Sequence, residues 1–117
     1  MKVKAYEVTV CGASMTVNTT SLGKAKAQIF WLAREHFADV RFTNVRGRKI
    51  ADCAVMTPKL EGVMRQRGRP DLGPGVEVVV NGRKGVVVDG TDCANFAVLY
   101  EDGACYAVHP LDIAKVP

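Results

Sequence analysis

The chain has 117 residues, of which 48% are hydrophobic and 24% charged, and its formal net charge is +4. This length suits one ordinary domain or two very small ones, and small domains bury only about 60% of their unfolded surface, so two lobes would need to support each other. No apolar run approaches the roughly 20 residues needed to cross a bilayer, which excludes a membrane-spanning protein. Because residues 1–7 lack an apolar signal-peptide core, we expect a cytoplasmic protein with free thiols.

The charge is unevenly distributed along the chain. Residues 1–70 hold 13 Lys and Arg against 5 Asp and Glu, a net charge of +8, whereas residues 71–117 hold 3 against 7, a net charge of −4. Only the first part can attract a polyanion by long-range electrostatic steering. The sequence therefore predicts two surfaces with different partners.

The first predicted lobe, residues 1–57, has the element order ββαβ. Alternating residues before a turn at Gly12-Ala13-Ser14 indicate a hairpin. Thr19, Thr20 and Ser21 offer N-caps for a helix that runs to about Phe37. From Val40 to Ile50 apolar residues alternate with basic ones, which indicates a strand with one solvated face.

Residues 58–73 are rich in proline and glycine and predict a basic linker. A short helical turn around Leu60 to Met64 is an alternative for part of it. The run Arg65-Gln66-Arg67-Gly68-Arg69 has no apolar anchor. We therefore expect this run to be mobile or to be ordered by a partner.

The second predicted lobe, residues 74–117, opens with two valine-rich runs joined by Asn81-Gly82, a typical hairpin signal. A type I′ turn at this position requires positive φ at Gly82. Further strands are predicted at residues 95–100, 104–108 and 113–116, between Gly-rich turns. Short, closely spaced strands favour a small SH3-like barrel, because closure removes exposed strand edges. The predicted fold class is α+β.

The opening of the second lobe, Pro74-Gly75-Val76-Glu77-Val78 followed by Gly82-Arg83-Lys84-Gly85-Val86-Val87, resembles the KOW motif of translation and transcription proteins. The whole chain resembles a group of small, mostly uncharacterised bacteriophage and prophage proteins. The residues that carry this second resemblance are Lys4-Ala5-Tyr6 with Val8, the helix start from Thr20 through Lys24-Ala25, Phe42-Thr43-Asn44-Val45-Arg46, Gly82-Arg83 with Gly85, Asn95-Phe96, Val98-Leu99-Tyr100 and His109-Pro110. The resemblance implies an accessory protein of the bacterial host's cytoplasm and supplies no catalytic residues.

A set of basic residues is the strongest functional candidate. Its members lie on the predicted strand and in the predicted linker: Arg41, Arg46, Arg48, Lys49, Lys59, Arg65, Arg67 and Arg69. Arginine meets phosphate by charge and by bidentate hydrogen bonding, so the set predicts contact with nucleic acid. The alternative interpretation is a solvated sheet face followed by a charged linker.

Aromatic residues fall into two groups. Phe96, Tyr100 and Tyr106 lie on the predicted barrel, where their groove predicts a protein partner, and an acidic barrel would prefer a basic peptide. Phe30, Trp31 and Phe37 are predicted to pack in a core or between lobes, because base-stacking platforms usually lie on exposed strands.

No metal, cofactor or enzymatic activity is predicted. Cys93, Cys105 and His109 could approach one another, but three ligands leave a structural zinc site incomplete, and cysteines are more often small core hydrophobes. A nucleophilic Cys–His pair would lack a third orienting group. The acidic residues Asp89, Asp92, Glu101 and Asp102 are typical turn residues.

Two classes of function remain. The first is a nucleic-acid-associated accessory protein, in which the basic lobe and linker contact phosphates and the barrel docks a protein. The second is a pure protein-interaction module, such as an inhibitor of a host system or an assembly factor. The two classes differ in whether the basic residues meet phosphates or a protein surface.

Overall fold

Two antiparallel sheets and two helices account for the regular structure of residues 1–116, the part of the chain that the computed structural model describes. The chain divides into a first unit, Met1–Ala54, and a second unit that begins at Val55. The predicted α+β class is confirmed. The first unit contains β1 Lys4–Val10, β2 Ala13–Thr19, α1 Leu22–Arg34 and β3 Arg46–Ala51. The second contains α2 Pro58–Arg67, β4 Glu77–Val80, β5 Arg83–Gly90, β6 Phe96–Tyr100, β7 Cys105–Val108 and β8 Ala114–Lys115.

The sheet of the first unit has the strand order β2-β1-β3. Its hairpin turns at Cys11 and Gly12, whose φ values of 52° and 77° give the two left-handed residues of a type I′ turn. Ser21 caps the N-terminus of helix α1, because its hydroxyl accepts a hydrogen bond from the Lys24 amide at 3.2 Å. Of the three predicted N-cap candidates, Thr19, Thr20 and Ser21, the last is the cap, and the helix ends three residues before Phe37.

Helix α1 packs on one face of this sheet through Ala25, Ile29 and Ala33. Gly47 permits the close approach, because a Cβ there would lie 2.9 Å from Leu22 Cδ1 and 3.3 Å from the carbonyl oxygen of Glu7. The buried core is completed by strand and loop residues: Tyr6, Val8, Val10, Val17, Val40 and Val45. Burial of these side chains supplies the hydrophobic stabilisation of the unit.

The strand predicted from Val40 to Ile50 begins only at Arg46. Residues Phe42–Asn44 form a 3-10 turn instead. The amide of Asn44 donates to the Arg41 carbonyl at 2.9 Å, and Val45 donates to Phe42 at 3.0 Å. This turn lets Val40 and Val45 both enter the core, which the apparent alternation did not reveal.

The second sheet has the order β7-β6-β5-β4-β8. Its first hairpin turns at Asn81 and Gly82, with φ of 51° and 80°, so the prediction of positive φ at Gly82 is confirmed. A bulge between Val87 and Asp89 bends β5. The predicted closed barrel is not found: β7 and β8 lie at opposite ends of the sheet, and no ladder joins them within residues 1–116. Pro117, which the prediction placed in the barrel, lies outside the described residues.

Helix α2 replaces most of the linker predicted for residues 58–73. Thr57 caps its N-terminus by accepting from the Leu60 amide at 3.2 Å, and Gly68 ends it with φ of 64°. Leu60 and Val63 are buried in the core of the second unit, against which Met64 also packs. The linker prediction was wrong because these apolar residues, at helical spacing, anchor the segment. No helix within residues 1–116 combines the length and apolar character needed to span a membrane.

Candidate nucleic-acid interface

The face of the first sheet opposite helix α1 carries polar and basic side chains, because successive strand residues point to opposite faces. Thr9 on the central strand lies opposite Ser14 of β2 and Arg46 of β3. Glu7, two residues earlier, lies opposite Arg48. We call these five residues, Glu7, Thr9, Ser14, Arg46 and Arg48, the arginine face.

The two arginines of this face differ in their partners. Arg48 Nε donates to Glu7 Oε1 at 3.2 Å, and Arg48 is 73% exposed, so this ion pair is weak. The side chain of Arg46 has no hydrogen bond or ion pair with any residue from 1 to 116. Together with Glu7, Thr9 and Gly47, both arginines line a shallow depression of about 150 Å³. A guanidinium beside hydroxyl groups can bind a phosphate oxygen.

Arg41 and Lys49, also predicted for the site, lie apart from the arginine face. Arg41 is exposed immediately before the 3-10 turn. Lys49 is in register with the core residue Tyr6, so it belongs to the other side of the sheet. Its Nζ lies 2.6 Å from Asp52 Oδ1, which raises the pKa of Lys49 and lowers that of Asp52. Lys49 is therefore engaged by a carboxylate of its own unit.

The three arginines of the predicted linker belong to the second unit and have partners there. Arg65 pairs with Glu61 at 2.9 Å, and Arg67 Nε donates to the carbonyl of Ala94 at 2.8 Å. Arg69 donates through Nε and Nη2 to the two carboxylate oxygens of Asp71, each at 3.1 Å. Contacts of this kind hold the end of helix α2 in place. The expectation of a mobile basic run was therefore wrong.

Arg69 also influences the ionisation of its partner. Its hydrogen bonds hold the pKa of Asp71 below the usual range, and the same contact raises the pKa of Arg69. A further bond from Arg69 Nη1 reaches the carbonyl of Pro110 at 3.2 Å. Arg69 therefore connects the segment after helix α2 to the turn before β8.

The predicted aromatic groove of the second unit contains one exposed ring. Phe96 and Tyr100 are buried, because alternation along β6 turns both towards the core. Tyr106, on the edge strand β7, is 57% exposed, and its ring centroid lies 5.9 Å from that of Tyr100. The guanidinium of Arg83 lies 4.2 Å from the Tyr100 ring centroid. Phe96 is thus a core residue and cannot contact a partner directly.

An exposed aromatic cluster lies in the first unit, where the sequence predicted core packing. Trp31 is 64% exposed and Phe42 is 46% exposed. Phe30, partly buried, contacts both, with ring centroids 5.2 Å from Trp31 and 5.5 Å from Phe42 in edge-to-face arrangements. We call Phe30, Trp31 and Phe42 the aromatic patch.

The exposure of Trp31 could have been predicted from its position on helix α1. Ala25, Ile29 and Ala33 repeat every four residues along the buried side of α1. Trp31 lies two residues from both Ile29 and Ala33, about 200° around the helix, and so falls on the outer side. Phe37, just beyond the helix, is also exposed. Packing in a core was therefore wrong for both residues, whereas the alternative of packing between lobes stays a prediction.

All four cysteines are free and exposed, which corrects their prediction as core hydrophobes. Cys11 lies in a hairpin turn and Cys105 on the edge strand β7, positions with little cover. Partial burial of the Cys105 thiol, together with the carboxylate of Asp89, raises its pKa. A raised pKa disfavours the thiolate and thus nucleophilic chemistry.

Within residues 1–116, no group of three or more His, Cys, Asp or Glu side chains is arranged to hold a metal ion. Cys93, Cys105 and His109 therefore do not converge on a site. His109 instead uses Nδ1 to accept a hydrogen bond from the Leu111 amide at 3.1 Å. That bond caps the 3-10 turn Pro110–Asp112.

In comparisons with known proteins, no protein family, characterised protein or solved structure matches this chain. Function is therefore inferred from the chain's own side chains. The arginine face and the aromatic patch of the first unit, and Tyr106 of the second, are the surfaces available for that inference.

Proposed function

We propose that the first unit binds nucleic acid through its phosphate backbone and that the arginine face makes the contact. The free guanidinium of Arg46, beside the Thr9 hydroxyl in a shallow depression, is the observation that carries this proposal. Arg48 also binds the phosphate, which displaces Glu7 from its guanidinium, because an exposed ion pair of this kind contributes only about 0–1 kcal/mol. The role is binding rather than catalysis.

The charge of the first unit supports the same proposal. Residues 1–54 hold nine Lys and Arg against four Asp and Glu, a net charge of +5, whereas residues 55–117 have a net charge of −1. A positive unit attracts a polyanion at long range and raises the association rate. Sequence-independent affinity for nucleic acid comes largely from such phosphate contacts.

For the second unit we propose an SH3-like small barrel that docks a protein partner. Four consecutive strands form a meander, and the fifth, β8, returns to pair with β4. This arrangement, with the bulge in β5, is one ladder short of closure. The exposed side chains of Tyr106 and Leu111, the latter 87% exposed, are the proposed contacts. The resemblance to phage proteins makes an accessory role in a bacterial host the proposed setting.

The salt dependence of binding tests the nucleic-acid proposal. Fluorescence anisotropy of a labelled oligonucleotide, single-stranded or duplex, is measured from low to moderate salt. We expect the logarithm of the association constant to fall linearly with the logarithm of salt concentration. Arg46→Gln should lower the slope by about one phosphate contact, roughly 0.7 for a single strand and 0.9 for a duplex.

Lys84→Gln is the matched control, since Lys84 is an exposed base of the second unit. It removes the same charge and should leave the slope unchanged. Equal effects of the two variants would indicate a general charge effect rather than a site at Arg46. No binding of either oligonucleotide at low salt would reject nucleic-acid binding and favour the pure protein-interaction module.

A further inference from the structure

The rings of the aromatic patch are only partly covered by the core of the first unit and remain accessible to solvent. Phe30 packs against both other rings: its ring centroid lies 5.2 Å from that of Trp31 and 5.5 Å from that of Phe42. Trp31 and Phe42 nevertheless keep about half or more of their surface exposed. A supported but exposed ring is suited to contact a second flat, apolar surface.

Phe42 of the patch lies four residues before Arg46 in the chain. Strand β3 is an edge strand of the sheet, and the 3-10 turn that carries Phe42 leads directly into it. Helix α1 crosses the other face of β3, with Leu22 and Lys26 against Gly47. A ligand that contacts both the arginine face and the aromatic patch must therefore pass round the β3 edge from one face of the sheet to the other.

Basic groups accompany the rings along this edge. Arg34 lies with its guanidinium 5.7 Å from the Phe30 ring centroid, and Arg41 directly precedes Phe42. Neither forms an ion pair with another residue in the range 1–116. Rings combined with unpaired cations suit a ligand that carries both flat groups and negative charge.

We infer that the aromatic patch stacks on unpaired bases of a single-stranded nucleic acid whose phosphates lie along the arginine face. This inference rests on the proposed function and adds a preference for single strands. In a duplex the base faces are stacked on one another and are not available to protein rings, whereas single strands expose them. Every base has such a face, so the contact tolerates any sequence.

Trp31 is the chain's one tryptophan, so its emission reports directly on the patch. The full-length protein is titrated at low salt with three labelled probes: a single-stranded oligonucleotide, the duplex of the same sequence, and an abasic oligomer that has phosphates without bases. Tryptophan emission and anisotropy are recorded together. We expect the single strand to quench Trp31, while the duplex and the abasic oligomer bind more weakly and cause little quenching.

Variants separate stacking from charge. Trp31→Ala should weaken single-strand binding roughly ten-fold, within the range measured for loss of one stacked base, and should leave abasic binding unchanged. Trp31→Phe should retain most of the affinity. Met56→Ala, which shortens an exposed apolar side chain of the second unit, is the control and should have no effect.

The outcomes distinguish this inference from the proposal on which it depends. Salt-dependent binding of all three probes with equal affinity and unchanged Trp31 emission would overturn base stacking and leave phosphate binding in place. Absence of binding by every probe would overturn both. Circular dichroism of Trp31→Ala checks that the fold is retained, which is expected because the removed side chain is mostly exposed.

Discussion

Arg46 is the residue on which the proposed phosphate contact depends most. Arg48 on the same face has a carboxylate partner in Glu7, whereas Arg46 has none among residues 1–116. Its planar guanidinium can also bind two phosphate oxygens at once, which a lysine ammonium cannot do in the same geometry. The type of cation at position 46 should therefore matter in addition to its charge.

Arg46→Lys tests this distinction. The charge is kept, so the slope of binding against salt should stay close to that of the wild type. The affinity should fall by several-fold, because the bidentate geometry is lost. Anisotropy titrations at several salt concentrations give both quantities. Wild-type affinity in this variant would indicate a point-charge contact, contrary to the bidentate arrangement.

Gly82 should be required for the stability of the second unit. Its φ of 80° is strained for any residue with a Cβ, so Gly82→Ala should lower the free energy of unfolding by about 1–2 kcal/mol. Gly62, within helix α2, has open space around its Cβ position, and Gly62→Ala should instead raise stability by about 0.4–1 kcal/mol. Urea unfolding measures both. An unchanged or higher stability of Gly82→Ala would contradict the left-handed turn.

The ion pair of Arg69 and Asp71 should make stability depend on pH. The pKa of Asp71 is lowered in the folded protein, so the pair stabilises the fold above the ordinary value of 3.8 and that contribution is lost as the pH falls below it. Asp71→Asn should destabilise the protein near neutral pH, and this loss should shrink as the pH falls below 3.8. Asp112→Asn serves as the control. The free energy of unfolding of wild type and variants is measured by denaturation near neutral pH and at acidic pH. A destabilisation by Asp71→Asn that does not change with pH would exclude the ion pair as its cause.

At the scale of elements, helix α2 and strand β5 lie so close together that there is no room for a side chain at Gly90. A Cβ on Gly90 would lie 2.6 Å from the carbonyl oxygen of Lys59 and 2.7 Å from Val63 Cγ2. The Thr57 hydroxyl, which caps the helix, also donates to Asp89 Oδ1 at the end of the same strand. Close packing at Gly90 and the hydrogen bond from Thr57 to Asp89 thus both hold the helix against the strand.

Gly90→Ala should force α2 away from β5. The clash involves backbone, which cannot rotate aside, so we expect a loss of about 1–3 kcal/mol in the free energy of unfolding. Gly73→Ala is the control, because the nearest atom to its Cβ position is Met64 Cε at 3.9 Å, an ordinary contact. Thermal unfolding of both variants and the wild type measures these differences in stability. Wild-type stability for Gly90→Ala would show that the helix is not held there.

The elements also show which sequence signals were sufficient. Asn81-Gly82 specified its turn because few residues adopt positive φ, and Ser21 identified its helix start. Helix α2 was predicted only as an alternative, a short turn around Leu60 to Met64, although Thr57-Pro58 and Gly68 are typical start and stop signals. The many glycines, prolines and arginines concealed two buried residues, Leu60 and Val63.

At the scale of the whole molecule, the division between units changes the interpretation of charge. The sequence predicted a strongly basic first part because Arg65, Arg67 and Arg69 were counted with it. These residues belong to the second unit and contact it, so the charges of the two units are +5 and −1. The candidate site could be predicted only in part, since partners such as Asp71 and Ala94 depend on the tertiary fold.

The central claim is that the first unit contacts nucleic acid, through the arginine face. Amide NMR spectra of the full-length protein, titrated at low salt with a single-stranded oligonucleotide, test it residue by residue. We expect the largest shift changes at Thr9, Arg46 and Phe42, and small changes in helix α2 despite its arginines. The largest changes at residues 55–116, or no changes at all, would contradict the claim.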